Sequence, residues 1–301
     1  MLTWFRQRKA LSWLLGLLLL YAGARLVFFY EERQTDLSIG SKNFTESILL
    51  GELYAQALER KGFQVKRKFN LGGTLIAHEA IKRGEVDLYP EYTGTGLLDV
   101  LHISPPQTET EAFKVLEDAY QQRWKLRWLE PAQANNSQGL VMLRRQANRF
   151  HISNLSELSR RASGLRLGSI PEFDEREDGL PGLKKSYGGF RFKKIALYDN
   201  GLKYQILERG DVDVTVAFTT DGALIHPRFL LLKDDRNFWP AYRVAPVIRD
   251  EKLKAHPEVV RILNQISAGL TTETLQKLNY RVEQQKQDYK KVIQDYLVKH
   301  P

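Results

Sequence analysis

The sequence predicts an α/β protein of two similar lobes with a ligand cleft between them. The first observation behind this is an internal repeat. Arg83-Gly84-Glu85-Val86-Asp87 recurs as Arg209-Gly210-Asp211-Val212-Asp213, and five residues after each second Asp stands an aromatic, Tyr92 or Phe218. Each aromatic is followed by Thr (Thr93, Thr219) and, three further on, by Gly (Gly96, Gly222). The second observation is an echo upstream, where Ile39-Gly40-Ser41…Phe44 resembles Leu167-Gly168-Ser169…Phe173 at nearly the same distance from its Arg-Gly partner. The third is the alternation of strand and helix patterns along both segments. Two copies of one such segment put an aromatic side chain at the end of a strand in each lobe, facing a shared cleft.

The elements follow in order. Residues 1–35 are a leader: Arg6, Arg8 and Lys9 precede the apolar run Leu11 to Tyr21, and Ala22-Gly23-Ala24 is a small-x-small triplet of the signal-cleavage type. Leu26 to Tyr30 is apolar again, so an uncut segment of about 20 residues would span a bilayer and anchor the chain. Cleaved signal or anchor, the body is exported and the basic end stays in the cytoplasm. After the charged junction Glu31 to Asp36, a strand is expected at Leu37 to Gly40. Thr45 then caps a helix with apolar faces Leu49/Leu53/Ala57 and Leu50/Tyr54/Leu58, ending near Gly62. Phe63 to Phe69 reads as a strand, Gly72-Gly73-Thr74 turns into a helix over Leu75 to Lys82, and Val86 to Tyr89 is a third strand, giving a largely parallel sheet.

A new series begins at Leu140 to Leu143, after the Asn-rich stretch Pro131 to Gln138. It continues through a strand at Leu165 to Ser169, a helix after Gly201 and a strand at Val212 to Phe218. From Lys252 onwards the pattern is helical and is expected to pack back on the first lobe. That layout places the first lobe at 36–134 with 243–301 and the second at 135–242, with crossings near Asn135 and Tyr242. Ligand belongs between them, at the carboxyl ends of the strands.

Composition narrows the chemistry. Of 301 residues 43% are hydrophobic and 27% charged, as in globular proteins. Cysteine is absent, which excludes disulfides, thiolate metal sites, a cysteine nucleophile and lipid attachment to an N-terminal cysteine. The net charge of +9 raises the question of nucleic acid. However, Arg6, Arg8, Lys9, Arg25 and Arg33 lie in the leader, the other cations are interspersed with Asp and Glu, and no aromatic-basic run forms a strand-binding surface. The six His show no metal-ligand spacing and no Gly-x-Ser-x-Gly elbow occurs, so neither a metal, a cofactor nor an enzymatic activity is expected.

The cleft-facing positions are rich in rings: Tyr89, Tyr92, Phe218 and Tyr242. Several π-faces around one small space suit a cation, at about 0.5–2 kcal/mol per contact. A quaternary ammonium suits best, because it has no N–H that would need an acceptor. Cations stand nearby. Lys42 follows the first strand at a helix N-terminus, and Arg176 lies in the equivalent stretch Glu172-Phe173-Asp174-Glu175-Arg176, where it could grip a carboxylate or simply pair with its acidic neighbours. Thr93 and Thr95 could donate hydroxyl bonds or cap the next helix.

Three motifs of the first half resemble the substrate-binding proteins of osmoprotectant ABC importers, the glycine betaine, carnitine and choline family. They are Ile39-Gly40-Ser41-Lys42-Asn43-Phe44-Thr45-Glu46, Leu71-Gly72-Gly73-Thr74 and Asp87-Leu88-Tyr89-Pro90-Glu91-Tyr92-Thr93-Gly94-Thr95. Asn135-Asn136-Ser137, Glu172-Phe173 through Arg176-Glu177-Asp178-Gly179-Leu180, Thr220-Asp221-Gly222 and Ala245-Pro246-Val247-Ile248-Arg249 are similar to its later motifs, in order. The resemblance runs from about Leu37 to the C-terminus. It implies a two-lobed periplasmic-binding-protein fold, type II-like, that closes on its ligand as a hinged clamp. By motif position it assigns Tyr92, Phe218 and Tyr242 to an aromatic cage, Lys42, Thr95 and Arg176 to a carboxylate end, and Asn136 and Gln138 to the same pocket. This chain departs from the pattern at Gln138, where the family often has tyrosine, and at Phe218, where tyrosine is usual. The implied function is capture of a quaternary ammonium osmolyte outside the cytoplasm and delivery to ABC permease subunits. The alternative is a membrane-anchored sensor using the same clamp.

Overall fold

The structure, a computed structural model, describes residues 35–106 and 108–300. Of the leader or anchor expected over 1–35, all but Thr35 lies outside them. Among the described residues no helix is long and apolar enough to cross a membrane.

Among the described residues ten strands form two five-stranded sheets. The first has the order β2-β1-β3-β10-β4, with β1 at Leu37–Gly40, β2 at Val65–Lys68, β3 at Leu88–Tyr92, β4 at Leu126–Trp128 and β10 at Val244–Arg249. The second has the order β7-β6-β8-β5-β9, with β5 at Gln138–Leu143, β6 at Arg166–Ser169, β7 at Lys194–Leu197, β8 at Val214–Phe218 and β9 at Phe229–Leu231. The sheets share one plan. In each, a strand ending on the repeat's aromatic residue pairs parallel with one neighbour and antiparallel with the other. Both sheets are therefore mixed, not largely parallel.

The repeat has a structural cause. Gly84 and Gly210 end their helices, Thr74–Lys82 and Lys203–Arg209, at φ +72° and +78°, where an L side chain is strained. The following Asp then clips onto the neighbouring strand. Asp87 accepts from the Ser38 N–H at 2.8 Å and donates its own N–H to the Ser38 carbonyl. Asp213 does the same with Arg166, accepting at 2.9 Å. Helix stop, clip and strand are thus one module used twice.

Helix Thr45–Glu59 buries both of its apolar faces, from Leu49 and Leu50 to Leu58. A helix apolar on two sides needs cover on both. Helices Glu258–Gly269, Thr272–Glu283 and Tyr289–Lys299 provide the outer layer. Thr272–Glu283 also touches the second lobe, where a Cβ on Gly222 would lie 2.3 Å from the Tyr280 backbone nitrogen.

Some local readings change. Thr45 is the first helical residue and not the cap; Phe44 holds the cap position without a side-chain bond. Strand β10 escapes periodicity because Pro246 interrupts it, and proline in an inner strand argues against a strand. Here Pro246 stands opposite Pro90 of β3, which concentrates the two missing N–H donors at one rung. The two crossings are joined by an antiparallel bridge between Asn135 and Arg243. Around it Asn136 donates its N–H to the Tyr242 carbonyl at 2.9 Å, and Tyr242 donates its own to Asn135 Oδ1 at 2.7 Å.

Candidate ligand cleft

A cavity of about 1160 Å³ opens between the two sheets. Lys42, Tyr92, Thr95, Asn136, Gln138, Arg176, Phe218 and Tyr242 all line it, so strand ends, crossings and loops far apart in sequence converge on one space. Tyr89 does not. Strand alternation turns it into the first lobe's core, fully buried, with its hydroxyl donating to Glu91 at 3.2 Å. Phe44 lies beside Tyr92 instead, ring centroids 6.1 Å apart.

The two cations expected to meet the ligand are already paired. Lys42 Nζ forms a buried ion pair with Glu91, donates to Thr74 Oγ1 at 3.1 Å and lies 5.4 Å from the Tyr92 ring centroid. Arg176 gives two parallel bonds to Asp178, at 2.7 and 2.5 Å, and reaches Asp99 of the first lobe at 2.5 Å. Burial alone would pull the Arg176 guanidinium down, but its bonds and charges from Asp178 and Asp99 hold it above its usual value. Asp178 is pushed up by burial and pulled further down by Arg176, ending below the ordinary range. It also accepts from the Tyr242 hydroxyl. Gln138 donates to the Asp178 carbonyl at 3.3 Å, filling with an amide the place expected for a ring.

Sequence reasoning missed the acids. Glu46 is buried in the cavity wall and accepts from the Tyr92 hydroxyl at 2.8 Å, Asn136 Nδ2 at 2.7 Å and Asn279 Nδ2 at 2.7 Å. Burial raises its pKa, and these bonds limit the rise. Asp221 binds Lys203, the Tyr204 hydroxyl at 2.8 Å and the Phe218 N–H at 2.8 Å. Thr93 serves the crossings and not a helix cap. Its hydroxyl donates to the Ala241 carbonyl at 2.9 Å and accepts the Arg243 N–H at 3.1 Å.

Gly94 fixes the position of one ring. A Cβ there would lie 2.6 Å from two carbons of Tyr242. Gly94→Ala is therefore expected to cost about 1–3 kcal/mol of stability by overpacking, read as a lower midpoint in urea unfolding. An unchanged midpoint would mean that Tyr242 moves aside freely.

Two lobes closing on a cavity of rings and paired charges make a clamp for a small solute. Residues 35–299 match the family model described as the substrate-binding domain of the ABC-type glycine betaine transport system, and the chain belongs to that family. It is 34% identical over 274 residues to a glycine-betaine-binding protein of Pseudomonas aeruginosa, covering 88% of each chain. It is 34% identical over 262 residues to the ergothioneine transport permease/ergothioneine binding protein EgtU of Helicobacter pylori; there the match covers 87% of this chain but 47% of the longer relative. The solved structure described as a glycine betaine/carnitine/choline ABC transporter superposes with a TM-score of 0.77 at 26% identity, over 88% of this chain and 98% of the other. The family is one of transport, which favours solute delivery over the sensing alternative.

Proposed function

We propose that the protein captures a betaine, a zwitterion carrying a quaternary ammonium, outside the cytoplasm and hands it to the permease subunits of an ABC importer. The observation that carries this reading is the convergence of Tyr92 and Tyr242 with the carboxylate of Glu46 in one cavity wall. Rings and a nearby buried carboxyl group suit a cation that offers no N–H. The clamp comprises 36–134 with 243–301 as one lobe and 135–242 as the other. Arg176 and Thr95 receive the carboxylate, while Lys42 holds Glu91 and so positions Tyr92, whose N–H bonds Glu91 at 2.7 Å. The leader exports the chain or anchors it to the membrane.

A larger betaine bearing a ring N–H, of which ergothioneine is one, is favoured by a further detail. Asn136 Oδ1 is buried and accepts no hydrogen bond from the protein. Glycine betaine has no donor for it, whereas an imidazole N–H does. Calorimetric titration against glycine betaine, carnitine, choline and ergothioneine tests both readings. Tyr92→Leu should weaken the bound ligand by roughly 1–2 kcal/mol. Unaltered affinity in that variant would make Tyr92 a core residue, and no binding across the panel would end the betaine reading.

A further inference from the structure

The face of Phe218 is not empty. Lys203 Nζ sits 4.6 Å from the ring centroid, nearer than any other cation–ring pair in the cleft among the described residues. Lys203 is 6% exposed, and both Asp221 oxygens hold its ammonium, at 2.9 and 2.7 Å. Asp221 is itself fixed by the Phe218 N–H and the Tyr204 hydroxyl. The arrangement is therefore rigid, and Lys203, Phe218 and Asp221 all line the ligand cavity. An ammonium on a ring face uses up the attraction that the ring would offer a second cation, and repels that cation as well.

We propose that Lys203 is a specificity-determining residue: by occupying Phe218 it denies the second lobe's ring to the ligand's ammonium and turns the ligand's anionic end toward that lobe. This rests on the betaine reading and sharpens it. The ammonium is left to Tyr242 and to Tyr92, whose own neighbour Lys42 stands farther off at 5.4 Å from the centroid, and the second lobe presents Lys203 and Arg176. The preferred solute is then a zwitterion, and a bare cation such as choline is discriminated against. An ammonium has three donors and this one gives a hydrogen bond to Asp221 Oδ1, which leaves donor capacity for a ligand carboxylate.

The experiment titrates the wild-type protein, Lys203→Met and Lys203→Met/Asp221→Asn with glycine betaine and with choline. The double variant keeps the site neutral and does not strand Asp221. In both variants glycine betaine should weaken at least fivefold and choline should tighten at least threefold, moving in opposite directions. Losses of equal size for both ligands would make Lys203 a packing residue and overturn the assignment. A choline gain confined to the single variant would come from the bare Asp221 carboxylate and overturn it too. Failure of the wild type to bind glycine betaine, carnitine, choline or ergothioneine, with circular dichroism showing it folded, would remove the betaine reading itself and the role of Lys203 with it.

Discussion

Glu91→Gln is expected to lower the unfolding free energy by about 3–5 kcal/mol, because it leaves the Lys42 ammonium buried without its counter-charge. The Lys42 and Glu91 side chains are 4% and 0% exposed, so water cannot take over. The melting temperature should fall by on the order of ten degrees. Loss of the pair also frees Tyr92, whose N–H bonds the same carboxylate oxygen as Lys42. Lys42→Met/Glu91→Gln should recover much of the stability, since it removes both charges. The check is differential scanning calorimetry on both variants. A single-variant loss under about 1 kcal/mol would mean that the ammonium finds solvent or another acid.

The second large effect concerns Asp99. It bonds Arg176 across the cleft, and so competes for the guanidinium with any ligand carboxylate. Asp99→Asn should tighten a carboxylate-bearing ligand about tenfold at pH 7.5, or about 1.4 kcal/mol. Arg176→Ala should do the opposite, weakening it by at least about 2 kcal/mol while choline loses much less. The pH dependence follows from the Asp99 carboxyl, which burial raises to about 6 against the opposing charge of Arg176. As pH falls through that value Asp99 is neutralised and Arg176 is released, so affinity for a carboxylate should rise. Titrations across pH should therefore show acid-strengthened binding in the wild type that is lost in Asp99→Asn. Parallel profiles would rule out Asp99 as the competitor. For stability the sign is separate. A carboxyl whose folded-state value is raised is ionised at the fold's expense, and that cost grows as pH rises from the ordinary carboxylate range to about 6.

The sequence displayed the frame of the molecule more openly than the chemistry of its site. The repeat was readable because a left-handed glycine, a clipping Asp and a strand ending in an aromatic have fixed spacing, and each lobe needs all three. The two apolar faces of helix Thr45–Glu59 announced cover on both sides. Strand β10 was hidden because Pro246 breaks the usual pattern, and only its partner Pro90 makes the exception intelligible. The cleft residues could be gathered by motif position, but their charge states could not. Glu46 meets Asn136 and Asn279 at separations of 90 and 233 residues, and Arg176 meets Asp99 at 77. Nothing in local spacing encodes such pairs. As a result, cations that looked available for ligand are already engaged.

The bridge between Asn135 and Arg243 also bears on which contacts can report occupancy. Where two connecting strands are laced together, the pair behaves as a torsion bar, and one lobe turning against the other carries each atom by an amount that grows with its lever arm. Tyr242, next to Arg243 and backed by Gly94, lies at the short end of that arm. Its backbone moves least as the opening angle changes, so a solute contact made there would weigh little on the choice of posture. A solute touching only such residues would bind open and shut forms alike and shift neither. The work of drawing the jaws together would then fall to groups on separate lobes, such as Asp99 and Arg176, whose distance from each other the turning changes.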